Sequence, residues 1–301
     1  MVQLSLPSYQ ENESIVNVAS VPQRSPFRYP GGKTWLVPHI RKWLISRPTK
    51  PSELIEPFAG GAIVGLTVAF ENLAQVVTLV ELDDEVAALW KTILAGDVEW
   101  LTHRITTFDV NPESVQVELV KTNLDKKDKA FQTLLRNRVN HGGIMAPGSG
   151  VIKYGENGKG IKSRWYPDTL KKRILRIVAI KDRIRFIEGD GLEVLKENAQ
   201  RSDAVFFIDP PYTAAGKKAG TRLYRHHKLD HEELFRIAET LTGDFLMTYD
   251  NTEDVQILAQ RHGFDTRAIP MKNTHHAKMT ELLISRNLDW AREEFSVEST
   301  N

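Results

Sequence analysis

Asp209, Pro210, Pro211 and Tyr212 follow directly on the apolar run Val205-Phe206-Phe207-Ile208. Those residue types in that order suit one kind of chemistry. The Asp209 carboxylate and the Pro210 carbonyl, which Pro211 leaves without a neighbouring N–H, can together accept both hydrogens of an exocyclic amine such as N6 of adenine. The Tyr212 ring can stack on the base that carries it. The preceding run predicts a buried strand of a parallel sheet. Two prolines can neither extend a ladder nor enter a helix interior, so the chain must leave the sheet in an extended turn. Ligands bind at such carboxyl ends in open α/β sheets. An ordinary turn with a capping aspartate is the plain alternative, and the strand before it and the tyrosine after it weigh against that.

Further groups suited to chemistry lie upstream. In Pro26-Phe27-Arg28-Tyr29-Pro30-Gly31-Gly32-Lys33, the glycines let backbone approach a ligand, and Lys33 opens a predicted helix over 35–46. A lysine at the helix end that favours anions is not explained by the dipole, so Lys33 is expected to meet a carboxylate; a plain glycine turn is the alternative. Residues 53–62 predict a strand running through Glu56, Pro57 and Phe58 into a turn at Gly60-Gly61, then a helix over 63–71. The turn lacks the G-x-G-x-x-G spacing that suits a pyrophosphate. A second strand over 76–80 ends at Glu81, which can accept from ribose hydroxyls or be purely structural, while Asp83 or Asp84 caps the helix over 85–94. Together these suggest a nucleoside cofactor without a diphosphate. A third strand over 183–188 leads to Asp190, which either bonds an adenine amino group or caps the next helix.

These groups need a sheet to hold them. Strands over 205–208, 245–249, 264–269 and 281–285 complete an α/β, Rossmann-like pattern, mostly parallel, with an antiparallel last strand because no helix separates the final two. Residues 97–135 predict helices. Residues 136–167, rich in Gly, Asn and basic side chains, predict a β-hairpin inserted into a nucleic-acid groove, with a disordered linker as the alternative. A basic helix follows over 168–180, and 214–228 predicts a mobile loop over the site. The expected division is a flexible arm over 1–25, a sheet domain over 26–96 and 171–290, an inserted helical and β-hairpin recognition domain over 97–170, and a tail over 291–301.

Net charge is +1, but its distribution is uneven. Residues 136–185 carry 13 Lys and Arg against three carboxylates, a net +10 that leaves −9 for the rest. Lys217, Lys218, Arg222, Arg225 and Lys228 form a second basic cluster. Such concentration suits a phosphate-tracking surface, and a solvated helix face is the plainer reading. Absence of cysteine excludes disulfides, thiolate metal sites and a cysteine nucleophile. The first 25 residues lack a signal-peptide pattern and no apolar run reaches membrane-spanning length, so a cytoplasmic protein without membrane contact is expected.

Phe27 to Lys33, Ile55 to Gly61 and Asp209 to Tyr212, in that order around a recognition insertion, resemble the motifs of the Dam-like (D12 class) DNA adenine-N6 methyltransferases across about residues 26–286. The resemblance implies S-adenosylmethionine as cofactor and no metal. It implies cofactor contacts at Tyr29, Lys33 (through the methionine carboxylate), Glu56, Phe58, Gly60, Glu81 and Asp209, with Asp190 added from its position. Asp209, Pro210 and Tyr212 are the implied catalytic residues, acting on an adenine flipped from the duplex. Tyr29 stands where the family commonly has tryptophan, and Glu81 where it commonly has aspartate. Within 136–154 only Asn137-Arg138 and Gly142-Gly143 are similar to the family's recognition hairpin. Expected DNA contacts are Arg138, Asn140, Lys153, Lys217 and Arg222. Expected partners are double-stranded DNA and, in a restriction-modification pair, a cognate endonuclease, with the chain a monomer or weak dimer. An RNA adenine-N6 enzyme, a cytosine-N4 enzyme and an inactive DNA-binding subunit are the competing readings.

Overall fold

β-Branched and aromatic residues dominate the central strands, which are buried on both faces as parallel strands between helix layers must be. The computed structural model describes residues 16, 18–28, 31–146, 148–155, 158–211, 229–272 and 278–292. Its strands are β1 (Glu53–Glu56), β2 (Val76–Glu81), β3 (Ile184–Glu188), β4 (Ala204–Ile208), β5 (Asp244–Asp250), β6 (Asp265–Lys272) and β7 (Lys278–Ser285). They form one sheet in the order β3-β2-β1-β4-β5-β7-β6. β1 to β5 pair in parallel, and β7 runs antiparallel to both β5 and β6. Every strand expected of the sheet is present, and the reversed last strand slots between β5 and β6.

Helices α1 (Val37–Ile45), α2 (Ile63–Phe70), α3 (Asp84–Ala95), α8 (Gly191–Glu197), α9 (His231–Thr240), α10 (Glu253–Arg261) and α11 (Asp289–Arg292) accompany the sheet. Asp83 caps α3 by accepting from Glu85 and Val86 N–H, and Asp230 caps α9 by accepting from Glu233 N–H. Between β2 and β3 lie α4 (Val98–Thr107), α5 (Pro112–Leu119), α6 (Lys126–Val139) and α7 (Pro167–Val178). On α7 the buried Leu170, Ile174 and Ile177 recur at helical spacing, while Lys171, Lys172 and Arg176 face solvent. These helices share a continuous apolar core with the sheet: Leu101, Ile105, Phe131, Leu134 and Ile174 belong to the same cluster as Leu54, Val77 and Phe207. The expected boundary at residue 171 falls inside α7.

Two expectations about the chain's course are corrected. Part of the expected arm packs on the fold: Val21 and Ser25 are buried, and Arg24 pairs with Glu71 and lies over the Phe70 ring. The segment after residue 135 is also different. α6 continues to Val139, and the described part of 140–155 pairs only through the isolated bridge between Asn140 and Val151. A ladder fails because the Asn140 side chain donates to the Ile144 carbonyl and to Ser149 Oγ, closing a compact loop instead.

This loop is fastened to the N-terminal segment. Asn137, wholly buried, accepts from Arg28 N–H (2.8 Å) and donates to the carbonyls of Arg28 (2.9 Å) and Gly143 (2.8 Å). Gly143 has φ +77°, and a Cβ there would lie 2.1 Å from the Arg28 carbonyl oxygen. Asn137→Ala is therefore expected to lower the unfolding free energy by about 2–4 kcal/mol, since buried backbone groups lose their partners. Gly143→Ala should cost at least as much, and urea unfolding of both variants checks this.

Candidate active site

β1, β2 and β4 end on one edge of the sheet, and the reversed β7 begins there: Glu281 is in register with Asp250 at the end of β5. Residues from distant parts of the chain therefore meet along this rim. Asp209, just past β4, accepts from Thr248 Oγ1 of β5 at 2.9 Å and pairs with Lys33 Nζ at 3.0 Å. Lys33 also pairs with Glu281 at 2.8 Å and donates to the Gly31 carbonyl at 3.1 Å. Its ammonium is buried, which by itself lowers its pKa. The charges of Asp209 and Glu281 outweigh that and hold it above the ordinary lysine value. The Asp209 side chain keeps 21% of its surface exposed, enough for an incoming group to reach it.

The sequence placed Lys33 near a carboxylate, and it has two from the chain itself. An ammonium has three hydrogens, and Asp209, Glu281 and the Gly31 carbonyl account for three directions. Lys33 thus clamps two acidic side chains of the chain itself. Glu281 and Thr248 were not anticipated. The signal for Glu281 was an acidic residue at the start of an apolar strand, which becomes a site position only once that strand is reversed.

Beside this clamp stand two more carboxylates. Glu56 is buried at the end of β1 and accepts from Gly65 N–H at 2.8 Å. Burial raises its pKa well above the usual range; the Gly65 N–H opposes this, and the charges of Asp209 and Glu81 add to it. Glu81 ends β2 and accepts from Gly60 N–H and Asp83 N–H, both at 2.9 Å. Burial pushes Glu81 up to about 7 against those hydrogen bonds. The loop carrying Phe58 and Gly60 is held on three sides. Ala59 N–H reaches the Val80 carbonyl, Trp90 Nε1 donates to the Gly60 carbonyl, and a Cβ on Gly191 would strike the Pro57 carbonyl at 2.2 Å. Asp190 is exposed and caps α8 by accepting from Leu192 N–H at 2.8 Å, the plainer of its two expected roles. Pro210 is buried beside Asp209.

Of the expected DNA contacts, Lys153 is exposed. Arg138 and Asn140 are buried, only 4% and 3% exposed. Asn140 closes its own loop, and Arg138 donates to the Pro26 carbonyl. Tyr29, Tyr212, Lys217 and Arg222, with the predicted loop over 214–228, lie outside the described residues.

A sheet of this order, with only one reversed strand and with a glycine loop and acidic residues at the carboxyl ends of its first two strands, is that of a Rossmann-like methyltransferase. Residues 29–274 match the D12 class N6 adenine-specific DNA methyltransferases, and the chain belongs to that family. No curated protein matches the sequence. Similar solved structures include a methyltransferase from Geobacter sulfurreducens, with 13% identity, covering 86% of this chain and 80% of that one at a TM-score of 0.36. Spermidine synthase from Thermotoga maritima is another, with 12% identity, covering 85% of this chain and 59% of that one at a TM-score of 0.37. The family implies use of S-adenosylmethionine. The donor set suits it: carboxylates of Glu56, Glu81 and Asp209 face one another electrostatically on one rim, an environment that favours a cationic, hydroxyl-bearing ligand. No described helix is long and apolar enough to cross a membrane.

The raised carboxyls have a consequence for stability. Glu81 has its ordinary value of 4.5 when unfolded and about 7 when folded. The folded state therefore binds the extra proton between those values, and stability falls as pH rises through that window. Glu56 acts in the same direction. The thermal midpoint should fall between pH 5 and pH 8, and a Glu56→Gln/Glu81→Gln variant should lose part of that fall; calorimetry at several pH values measures the difference.

Proposed function

We propose that the protein transfers a methyl group from S-adenosylmethionine to the exocyclic N6 of an adenine flipped out of double-stranded DNA. What carries this reading is Asp209: an anchored, partly exposed carboxylate directly before two prolines, on the same rim as Glu56 and Glu81. When bound, S-adenosylmethionine supplies an electrophilic methyl on a sulfonium that leaves as a neutral thioether.

The chain's own residues account for the rest. Glu81 accepts hydrogen bonds from the cofactor's ribose hydroxyls, and the loop of Phe58 and Gly60 forms the adjoining wall. The Asp209 carboxylate and the Pro210 carbonyl accept hydrogen bonds from the target amine, which turns its lone pair out of conjugation and holds it in line, an effect of positioning and electrostatics; once methylated, the amine is cationic and loses one proton to solvent. A carboxylate has about four acceptor positions, so Asp209 can receive the amine while Lys33 and Thr248 hold it. Tyr212 stacks on the extruded base. In this reading residues 97–170 recognise the duplex while 26–96 and 171–290 bind the cofactor and carry out the transfer. The protein acts in the cytoplasm as a monomer or weak dimer, alone or beside a cognate endonuclease.

With labelled cofactor and duplex DNA, label should appear at adenine N6 in the wild type. Asp209→Ala should reduce transfer by at least ~10³-fold, with Asp209→Asn as a control of unchanged shape. Transfer within tenfold of wild type by both variants would remove Asp209 from the chemistry. Cofactor affinity should weaken roughly three- to tenfold from pH 8 to pH 6, as Glu81 gains its proton and becomes a poorer acceptor. Glu81→Gln should bind weakly at both values, which calorimetric titration reads directly.

A further inference from the structure

A second concave site, apart from the catalytic rim, lies between the N-terminal segment and the 3-10 turn Gly160–Arg164 with α7. Its cavity of about 210 Å³ is lined by Arg28, Arg138, Arg164 and Arg173, with Tyr166 and Gln23 among the remaining residues. The described residues that line it include no carboxylate. Water occupies about 30 Å³ per molecule in the liquid, so the space has room for an anion the size of phosphate.

Four guanidinium groups do not gather in a folded protein without a cost. Each repels the others, and burial removes the water that would screen them. Arg138 is 4% exposed; its Nη2 donates to the Pro26 carbonyl, but its Nε has no partner among the described residues. Arg28 Nη1 is buried and also without a partner among the described residues. Arg173 gives one hydrogen bond to the Ser25 carbonyl at 3.2 Å. The electrostatics agree with the geometry. Burial first, then the charges of Arg173, Arg28 and Arg164, bring the Arg138 guanidinium down to about 9. Burial first, then Arg164, lowers Arg28. Unfilled donors on converging cations are what an anion would satisfy, and guanidinium forks match the oxygens of a phosphate.

We propose that the pocket of Arg28, Arg138, Arg164 and Arg173 binds a single phosphate group. The position favours a phosphate of a nucleic-acid backbone. Arg28 precedes Lys33 by five residues, so their Cα atoms are within about 18 Å of each other even if the chain is fully extended. That is about five steps along a duplex at 3.4 Å each, so a strand that delivers one base to Asp209 can lay a nearby phosphate here. The anion preference of the pocket stands apart from the methyl-transfer reading; only the assignment of the phosphate to duplex DNA rests on it.

Two variants, Arg164→Gln and Arg173→Gln, test the proposal on the full-length protein, with circular dichroism to check the fold. One arm measures duplex DNA binding against salt. If the phosphate belongs to the backbone, affinity falls about 5- to 30-fold, and the slope of log K against log[salt] drops by about one in each variant. The other arm heats the protein in inorganic phosphate and in chloride at equal ionic strength. If the pocket takes a free phosphate, phosphate raises the melting temperature of the wild type and not of the variants, with DNA binding unchanged. Unaltered salt slopes together with no phosphate-specific stabilisation would overturn the proposal. So would weaker DNA binding at an unchanged slope without that stabilisation, since a merely structural arginine would give the same result. Because neither arm reads methyl transfer, a failure here is distinguishable from a failure of the catalytic reading.

Discussion

An ammonium ion held out of water between two carboxylates is stable only while both stay in place. Lys33 brings the N-terminal segment to Asp209 at the end of β4 and to Glu281 at the start of β7. Removing one member of such a group strands a buried charge, typically at a cost of about 3–5 kcal/mol. The net gain in stability from a buried ion pair is small by comparison. Its effect is geometric: three chain segments separated by many residues are held in one arrangement, and Asp209 is fixed in it. Thr248 gives the same carboxylate a neutral hydrogen bond from β5, so its direction is determined by groups that are themselves packed.

The neighbouring carboxylates follow a different logic. Glu56 and Glu81 accept hydrogen bonds from backbone N–H groups at the start of a helix and in a glycine loop. These bonds favour the ionised forms, yet burial prevails and both pKa values rise. Such groups are a local cost to folding. Preorganised acceptors of this kind are what a ligand with hydroxyls and a positive charge would use, and function and stability commonly pull apart at such a site.

A short stretch of chain serves two parts of the molecule. Residues 26–28 join α6 and its loop through Asn137 and Arg138, and residues 31–33 reach the catalytic rim through the Gly31 carbonyl and Lys33. The face built from the helical insertion and the face built from strand ends are thus set relative to each other by fewer than ten residues. The continuous core beneath them gives the same rigidity, which explains why a division into separate domains describes the sequence better than the packing.

Strand positions, the mostly parallel pairing and the acidic turn after β4 could be inferred from the sequence because they depend on local matters: β-branched runs, proline's missing N–H, glycine spacing, capping aspartates. The cap at Asp83 was visible for the same reason. Tertiary structure alone decided who answers Lys33, since Glu281 reaches it only when β7 reverses and falls in register with β5. It also decided that Arg138 and Asn140, basic and polar residues in a segment that looked like a solvent-facing hairpin, are buried and bonded to backbone carbonyls. Residue type and spacing say which groups a segment carries. Burial and long-range partners, which set the energy of those groups, depend on segments that the local sequence does not contain.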